Sequence, residues 1–345
     1  MTHRTLGRTG LSIPQIIFGT SSLGNLYQAL AYDTKRAVVG ECIAQVKAPV
    51  AFDSAGKYGA GMALEVLGRA LRELDVRPAD VMISNKLGWL RVPLGGAEST
   101  FEPEAWKDLT HDAEHRFGYD GILECWKQGN ELLGKEYPAM LASVHDPDEY
   151  LAGAAGGADR KRRFEQIAGA YRALGEVKAR GDAKAVGVGS KDWTVVREIA
   201  DRFDVDWVMI ACSLTVYRHP PELLALIERL RERGVGVVNS AVFNAGFLTG
   251  GEFFDYRKPD PAAESELFVW RERFLALCRQ HDVSPAAACV RFALSPPGVV
   301  AVALNTSRPE RVADNVALVE AGIPAGFWTA LKDARLVARD YPYLG

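Results

Sequence analysis

Short, nearly continuous apolar runs alternate with amphipathic stretches along the chain. The runs fall at 15–20, 49–53, 81–86, 139–145, 185–190, 207–212, 236–240 and 299–304. Such runs suit parallel strands buried on both faces. Helical spacing fills the gaps between them. Leu64, Leu67 and Leu71 share one face, ahead of Leu74. Phe164, Ile167, Tyr171, Leu174 and Val177 mark a longer helix, closed by Lys178-Ala179-Arg180-Gly181 with its cations and terminal glycine. Leu223, Leu224, Ile227 and Leu230 make another, and Ser307-Arg308-Pro309-Glu310 has the spacing of a capping box. Strands alternating with helices in this way predict a (β/α)8 TIM barrel. A doubly wound sheet would want a Gly-x-Gly-x-x-Gly turn after its first strand. Gly59-Ala60-Gly61 and Gly187-Val188-Gly189 both lack the third glycine.

Two stretches fit neither period. One spans about 90–119 and reads as a lid-like insertion. The other, 152–158, is rich in glycine and alanine and reads as flexible. Each follows the C-terminal end of a strand, so each is expected over the barrel mouth, where barrel active sites form. No linker divides the chain, and 1–345 reads as one barrel domain.

Composition narrows the function. The 345 residues carry 41 Lys+Arg against 44 Asp+Glu, a formal charge of −3, which argues against a nucleic-acid binder. No apolar run approaches the roughly 20 residues that cross a bilayer, and no signal-peptide pattern follows Met1. The five cysteines are scattered without a Cys-x-x-Cys pair, which points to a reducing cytoplasm and away from a disulfide framework.

The chemistry gathers at strand ends. The second strand ends at Asp53, with Tyr58 in the following loop; the third ends at Lys86 and the fourth at His145. A phenol with a pKa of about 10 is a poor acid or base at neutral pH, and a nearby ammonium lowers that value. Asp53 would keep a buried Lys86 charged, and His145 would hold a reacting oxygen. Each residue alone fits an ordinary ion pair or a satisfied polar group. Four of them on neighbouring strands point to proton transfer.

These residues resemble the tetrad signature of the aldo-keto reductases. The match runs through Asp53-Ser54-Ala55-x-x-Tyr58-Gly59, Ser84-Asn85-Lys86 and Val144-His145. It begins at Arg4-Thr5-Leu6-Gly7-Arg8-Thr9-Gly10-Leu11, which resembles the family's N-terminal hairpin under the barrel. It ends at Ser307-Arg308-Pro309-Glu310-Arg311-Val312-Ala313-Asp314-Asn315, which resembles its last cofactor segment. The stretches around Gly19 to Tyr27 and Val242 to Leu248 resemble a narrower branch. That branch holds NAD-linked aldose 1-dehydrogenases, of the L-fucose and D-threo-aldose type, and pyridoxal 4-dehydrogenase.

The resemblance implies a nicotinamide nucleotide and hydride exchange with a sugar hemiacetal, alcohol or aldehyde. Tyr58, Asp53, Lys86 and His145 would be catalytic, with Trp89, Tyr58 and His145 against the substrate. The implied cofactor positions are Gly19, Thr20, Asp53, Gly189, Ser190, Cys212, Ser240, Phe243, Asn305, Thr306, Ser307, Arg311 and Asn315. Several depart from the family. Gly189-Ser190 replaces a Ser-Asn pair, Cys212 or Ser213 stands near a Gln, and Ser240 stands near a stacking Tyr, which leaves Phe243 to face the ring. Asn305, where NADP-users of the family carry a cation, favours NAD; Arg308 and Arg311 keep NADP open. An NADPH-linked aldehyde or ketone reductase and a nucleotide-sensing, non-catalytic barrel are the alternatives. The oligomeric state is not legible.

Two other patterns read as ordinary surface. His111-Asp112-Ala113-Glu114-His115 fits a zinc-binding spacing if helical, but no third ligand is evident, so it reads as a solvated lid segment. Arg160-Lys161-Arg162-Arg163 reads as a solvated helix start. The aromatics of the insertion (Trp89, Phe101, Trp106, Phe117 and Tyr119) suit either sugar stacking or packing on the rim.

Overall fold

The computed structural model describes residues 2–344. Eight parallel strands close into a barrel: β1 (Ile16–Gly19), β2 (Val50–Ala55), β3 (Val81–Leu87), β4 (Leu141–His145), β5 (Ala185–Ser190), β6 (Trp207–Ala211), β7 (Gly236–Ser240) and β8 (Val299–Leu304). They neighbour one another in chain order, and β8 returns to pair with β1. All eight apolar runs are these strands, so the (β/α)8 reading holds. Their burial is continuous because the outer face meets helices and the inner face meets the opposite wall.

Alternation along each strand builds that interior. Ile17, Ala51, Met82, Leu141, Ala185, Trp207, Val238 and Ala301 form one apolar cluster inside the barrel. Trp207 is 1% exposed and fills the centre. A β-carbon on Gly187 would lie 2.7 Å from its indole, so a glycine is needed opposite it. A hairpin of His3–Thr5 and Ser12–Pro14 covers the bottom and sends Leu6 and Ile13 into the same cluster. Gly7 sits at a φ of +52°, and a β-carbon there would lie 2.3 Å from the Gly234 carbonyl oxygen, so no side chain fits.

Helices Met62–Glu73, Gly157–Ala179 and Pro221–Glu232 carry the anticipated apolar stripes. The glycine-rich stretch 152–158 joins two helices, one ending at Ala152 and the next beginning at Gly157, with the non-helical residues 153–156 between them. Asp159 organises that start by accepting from the Ala155 amide and pairing with Arg162 and Arg163. The capping box does not form. The helix begins at Arg311, and the turn before it is closed by Thr306 Oγ1, which accepts from the Arg308 amide at 3.1 Å. Within the insertion, Trp89–Pro93 and His111–His115 pair as antiparallel strands. The two histidines are therefore not one helical turn apart, and the geometry that would bring both to a zinc ion is absent.

The barrel floor hangs on Asp206, which is 1% exposed. Its carboxylate accepts from Lys178 Nζ at 2.6 and 2.7 Å and from the Val186 amide at 2.9 Å. Asp206→Ala should orphan that buried amide and the ammonium together. A loss of about 2–3 kcal/mol is expected, measured by urea unfolding; an unchanged midpoint would show the pair to be inert.

Candidate active site

The polar residues of the mouth continue the alternation that fills the barrel. Asp53 follows Ala51 inward on β2, Lys86 follows Met82 and Ser84 on β3, and His145 follows Leu141 and Ser143 on β4. The strand period thus delivers an acid, an ammonium and an imidazole to one end of one cavity. Lys86 Nζ donates to Asp53 Oδ2 in a short contact, with both side chains almost fully buried. Thr20 fixes the Asp53 backbone, donating from its amide and its hydroxyl to the Asp53 carbonyl, each at 3.0 Å. Tyr58 hangs in the loop after β2 with its ring centroid 4.6 Å from Lys86 Nζ. Its ring meets that of His145 edge-on at 5.6 Å. Asp53 Oδ1 and His145 Nδ1 are buried without a protein partner.

The electrostatics of this group differ from the expectation. Burial, then Asp53 and Asp146, push the Tyr58 phenol well above its usual 10, with Lys57 acting in the opposite sense. Lys86 does not deliver the anticipated lowering, because its charge is matched by Asp53 at contact distance. Burial and the ammonium groups of Lys86 and Lys57 hold His145 well below its ordinary 6.5. The resting pair is a neutral phenol beside a neutral imidazole.

The sequence profile of the Aldo/keto reductase family matches residues 15–335. The chain belongs to this family. It is 31% identical to the pyridoxal 4-dehydrogenase of Microbacterium luteolum, over 97% of this chain and 98% of that one. It is 30% identical to a D-threo-aldose 1-dehydrogenase of a Pseudomonas species, again over 97% and 98%. Among solved structures, the holo form of an aldo-keto reductase from Bacillus halodurans superposes with a TM-score of 0.70 at 22% identity, covering 98% of this chain and 96% of that one. Membership makes the protein an NAD(P)-dependent oxidoreductase acting on small carbonyl or sugar substrates. No helix among the described residues is long and apolar enough to cross a membrane.

In this reductase the remaining candidates lie on the other arc of the mouth. Gly19 and Thr20 end β1, Gly189 and Ser190 end β5, Cys212 follows β6, Ser240 ends β7 and Asn305 follows β8. Gly189 faces Lys86: a β-carbon there would lie 3.0 Å from Lys86 Cδ, so the glycine leaves room for the lysine stem. Asn305 is engaged within the protein. Its Oδ1 accepts from Ser22 Oγ at 2.8 Å, and its Nδ2 donates to Ser21 Oγ at 2.9 Å, tying the end of β8 to the loop after β1. The Cys212 thiol is buried and pushed up, chiefly by burial, and the Cys212 carbonyl accepts from Arg218 at 3.1 Å. Phe243 is half-buried and packs on the outer core. Ser307, with Arg308 and Glu310, lines an outer cleft of ≈ 630 Å³ that Asp33 closes from the facing side. Arg311 and Asn315 share one face, a turn apart, on the helix Arg311–Glu320 that follows.

Along this arc the Ser190 hydroxyl donates to the Asp192 carbonyl at 3.4 Å and the Ser240 hydroxyl to the Ile210 carbonyl at 3.3 Å, while Arg308 lines the outer cleft.

The insertion is built, not loose. Asp112 accepts from the Thr100, Phe101 and Ala113 amides and from the Ser99 and Thr100 hydroxyls, which hold its carboxyl below the ordinary range against the opposing effect of burial. Phe101 and Trp106 are buried with Ala60 and Ala113 in a small core of their own, and Phe117 is buried in the main core. These aromatics pack on the rim. Trp89 is half-buried, its ring tilted by 50° against that of His115 at 3.9 Å between centroids, and its indole N–H is buried without a partner.

Two mouth residues escaped the sequence reading. Tyr256 lies 5.3 Å from Lys191 Nζ and within electrostatic reach of Tyr58 and Cys212. Its loop shows no periodicity that could have flagged it. Lys57, passed over inside the signature, is buried among carboxylates.

Carbon-13 NMR of ring-labelled tyrosine should show Tyr58 still a phenol at pH 10, and the His145 ring should stay neutral from pH 6 to 9. Ionisation of Tyr58 below pH 9 would contradict the electrostatics described above.

Proposed function

We propose that this reductase oxidises the hemiacetal or alcohol carbon of an uncharged, sugar-like substrate with NAD. The observation that carries the reading is the convergence of Asp53, Tyr58, Lys86 and His145 at the end of one cavity. The bound nucleotide would take up the hydride. Tyr58, after releasing its own proton to solvent, would accept the proton of the reacting oxygen as the hydride leaves, His145 would orient that oxygen as a neutral hydrogen-bonding group, and Lys86 with Asp53 would hold the phenol in place. General acid–base help of this kind contributes roughly 10²–10⁴-fold, and the remainder comes from holding the reactants together. We read the chain as one barrel unit, with 90–119 as a fixed wall of its mouth and Trp89 as the ring nearest the substrate.

Charge supports an uncharged substrate. Around the mouth, Glu102, Asp146, Asp148, Glu149 and Asp255 stand against Lys57, Lys191 and Arg218. An anionic sugar ester would meet a surplus of carboxylates. Charge also supports NAD. Asn305 is neutral, and Asp33 and Glu310 share the outer cleft with the single cation Arg308. A 2′-phosphate carries nearly two negative charges and would sit poorly there. One observation favours the reverse direction as a second reading: a phenol held in its protonated form is ready to donate to a carbonyl.

Tyr58→Phe keeps the ring and removes the proton carrier. Turnover should be lost while nucleotide affinity, read by fluorescence titration, stays within a few-fold; wild-type turnover would remove Tyr58 from the mechanism. A panel of aldoses, their phosphate esters and pyridoxal, run with each nucleotide, should favour uncharged substrates and NAD. Asn305→Arg should then raise the NADP preference about tenfold or more, since a charge-assisted contact contributes roughly 1.5–3 kcal/mol. An unmoved NADP/NAD ratio would mean that Asn305 does not face the ribose.

A further inference from the structure

Lys57 directly precedes Tyr58 in the loop after β2 and is 4% exposed. Its Nζ lies 3.1 Å from Asp146 Oδ2, 2.8 Å from Glu149 Oε2 and 2.9 Å from Glu102 Oε1. Two of these carboxylates follow β4 and the third belongs to the insertion. The other oxygen of Glu149 binds Lys191, and Glu102 Oε2 accepts from the Trp106 indole at 2.8 Å. Trp106 packs on Tyr58 at 5.8 Å between ring centroids. The Asp146 oxygen that meets Lys57 is also 3.5 Å from His145 Nε2. Asp146 reaches that position with a φ of +46°, a backbone cost that a non-glycine residue bears only when its surroundings hold it.

We propose that Lys57 is a positioning residue for the reaction, an ammonium hub that neutralises Asp146 beside His145 and binds the insertion to the catalytic pocket. The inference rests on the roles proposed for Tyr58 and His145. Lys57 and His145 compete for one carboxylate oxygen. While the ammonium holds it, the imidazole can remain neutral; without the ammonium, Asp146 would favour an imidazolium. The same charge opposes the carboxylates that act on Tyr58. Facing Tyr58 are Lys86 and Asp53 from the strands, His145 and Asp146 from β4 and its end, Glu102 from the insertion and Tyr256 from the loop after β7. His145 faces Lys86, Lys57, Asp146, Glu149 and Lys191. The Lys57 ammonium also lies 5.3 Å from the Trp89 ring and acts on His115. With Lys57 removed, Lys191 alone would remain against three carboxylates.

The sign of the effect follows. Burial alone would lower the Lys57 ammonium, but Asp146, Glu102 and Glu149 hold it above its usual value, so it stays charged wherever the enzyme works. Oxidation draws on the small phenolate fraction of Tyr58, so its single-turnover rate rises with pH on the alkaline side; Lys57→Met should displace that rise upward, read as about a tenfold loss of rate at fixed pH. It should also raise the pH at which the His145 ring protonates relative to wild type, visible by imidazole NMR. Lys57→Arg keeps the charge and should restore the wild-type profile. Glu102→Gln removes a charge of the opposite sign and should move the rise downward while raising KM. Should Lys57→Met fail to fold, as read by circular dichroism, the arginine and glutamine variants carry the test. A profile that stays put in Glu102→Gln, or moves as far in Lys57→Arg as in Lys57→Met, would overturn the proposal. Tyr58→Phe run alongside separates the two readings. Turnover in that variant would defeat the functional reading, whereas an inactive Tyr58→Phe with an unshifted Lys57→Met would defeat the role of Lys57 alone.

Discussion

Closing eight strands on themselves leaves an inner face that side chains must fill from one end to the other. Everything at the mouth follows from how that filling changes along the axis. The hairpin and Leu6 cover the bottom, Trp207 occupies the middle, and the same alternating positions then turn polar as Ser84, Lys86, Asp53 and His145. The ion pair of Lys86 and Asp53 lies at this boundary. Its members are drawn from adjacent strands in register, Asp53 opposite Ser84 and Ala55 opposite Lys86.

The barrel was legible because burial on both faces writes strands as plain apolar runs, and each run became a strand within a residue or two. The tetrad was legible because strand ends dictate direction. What escaped was order held by polar contacts. The insertion has no period, since its shape comes from one carboxylate, Asp112, gathering three amides and two hydroxyls. Spacing alone also misread 307–310 as a capping box, because which of several hydroxyls or carboxylates takes the amide is settled by tertiary approach.

Lys57 shows the same limit more sharply. A lysine in a loop reads as solvated, and its three partners lie about 45 to 90 residues away along the chain. Only the folded barrel brings them together. The phenol expectation failed for a related reason. A lysine beside a tyrosine suggests a lowered pKa until the aspartate that matches its charge is placed at contact distance.

The circumference is not equally strong all round. β1 shares only two register pairs with β2 and three with β8, against six between β2 and β3. Around that thin seam, side chains substitute for ladder bonds: Thr20 reaches the Asp53 carbonyl, and Ser21 and Ser22 clasp Asn305. The seam is where the first and last strands meet, and it includes Asn305, proposed above to face the ribose of the nucleotide. A ligand lying across Gly19, Thr20 and Asn305 would rivet the barrel shut at its least stitched joint, so occupancy there would slow local opening as well as enable chemistry.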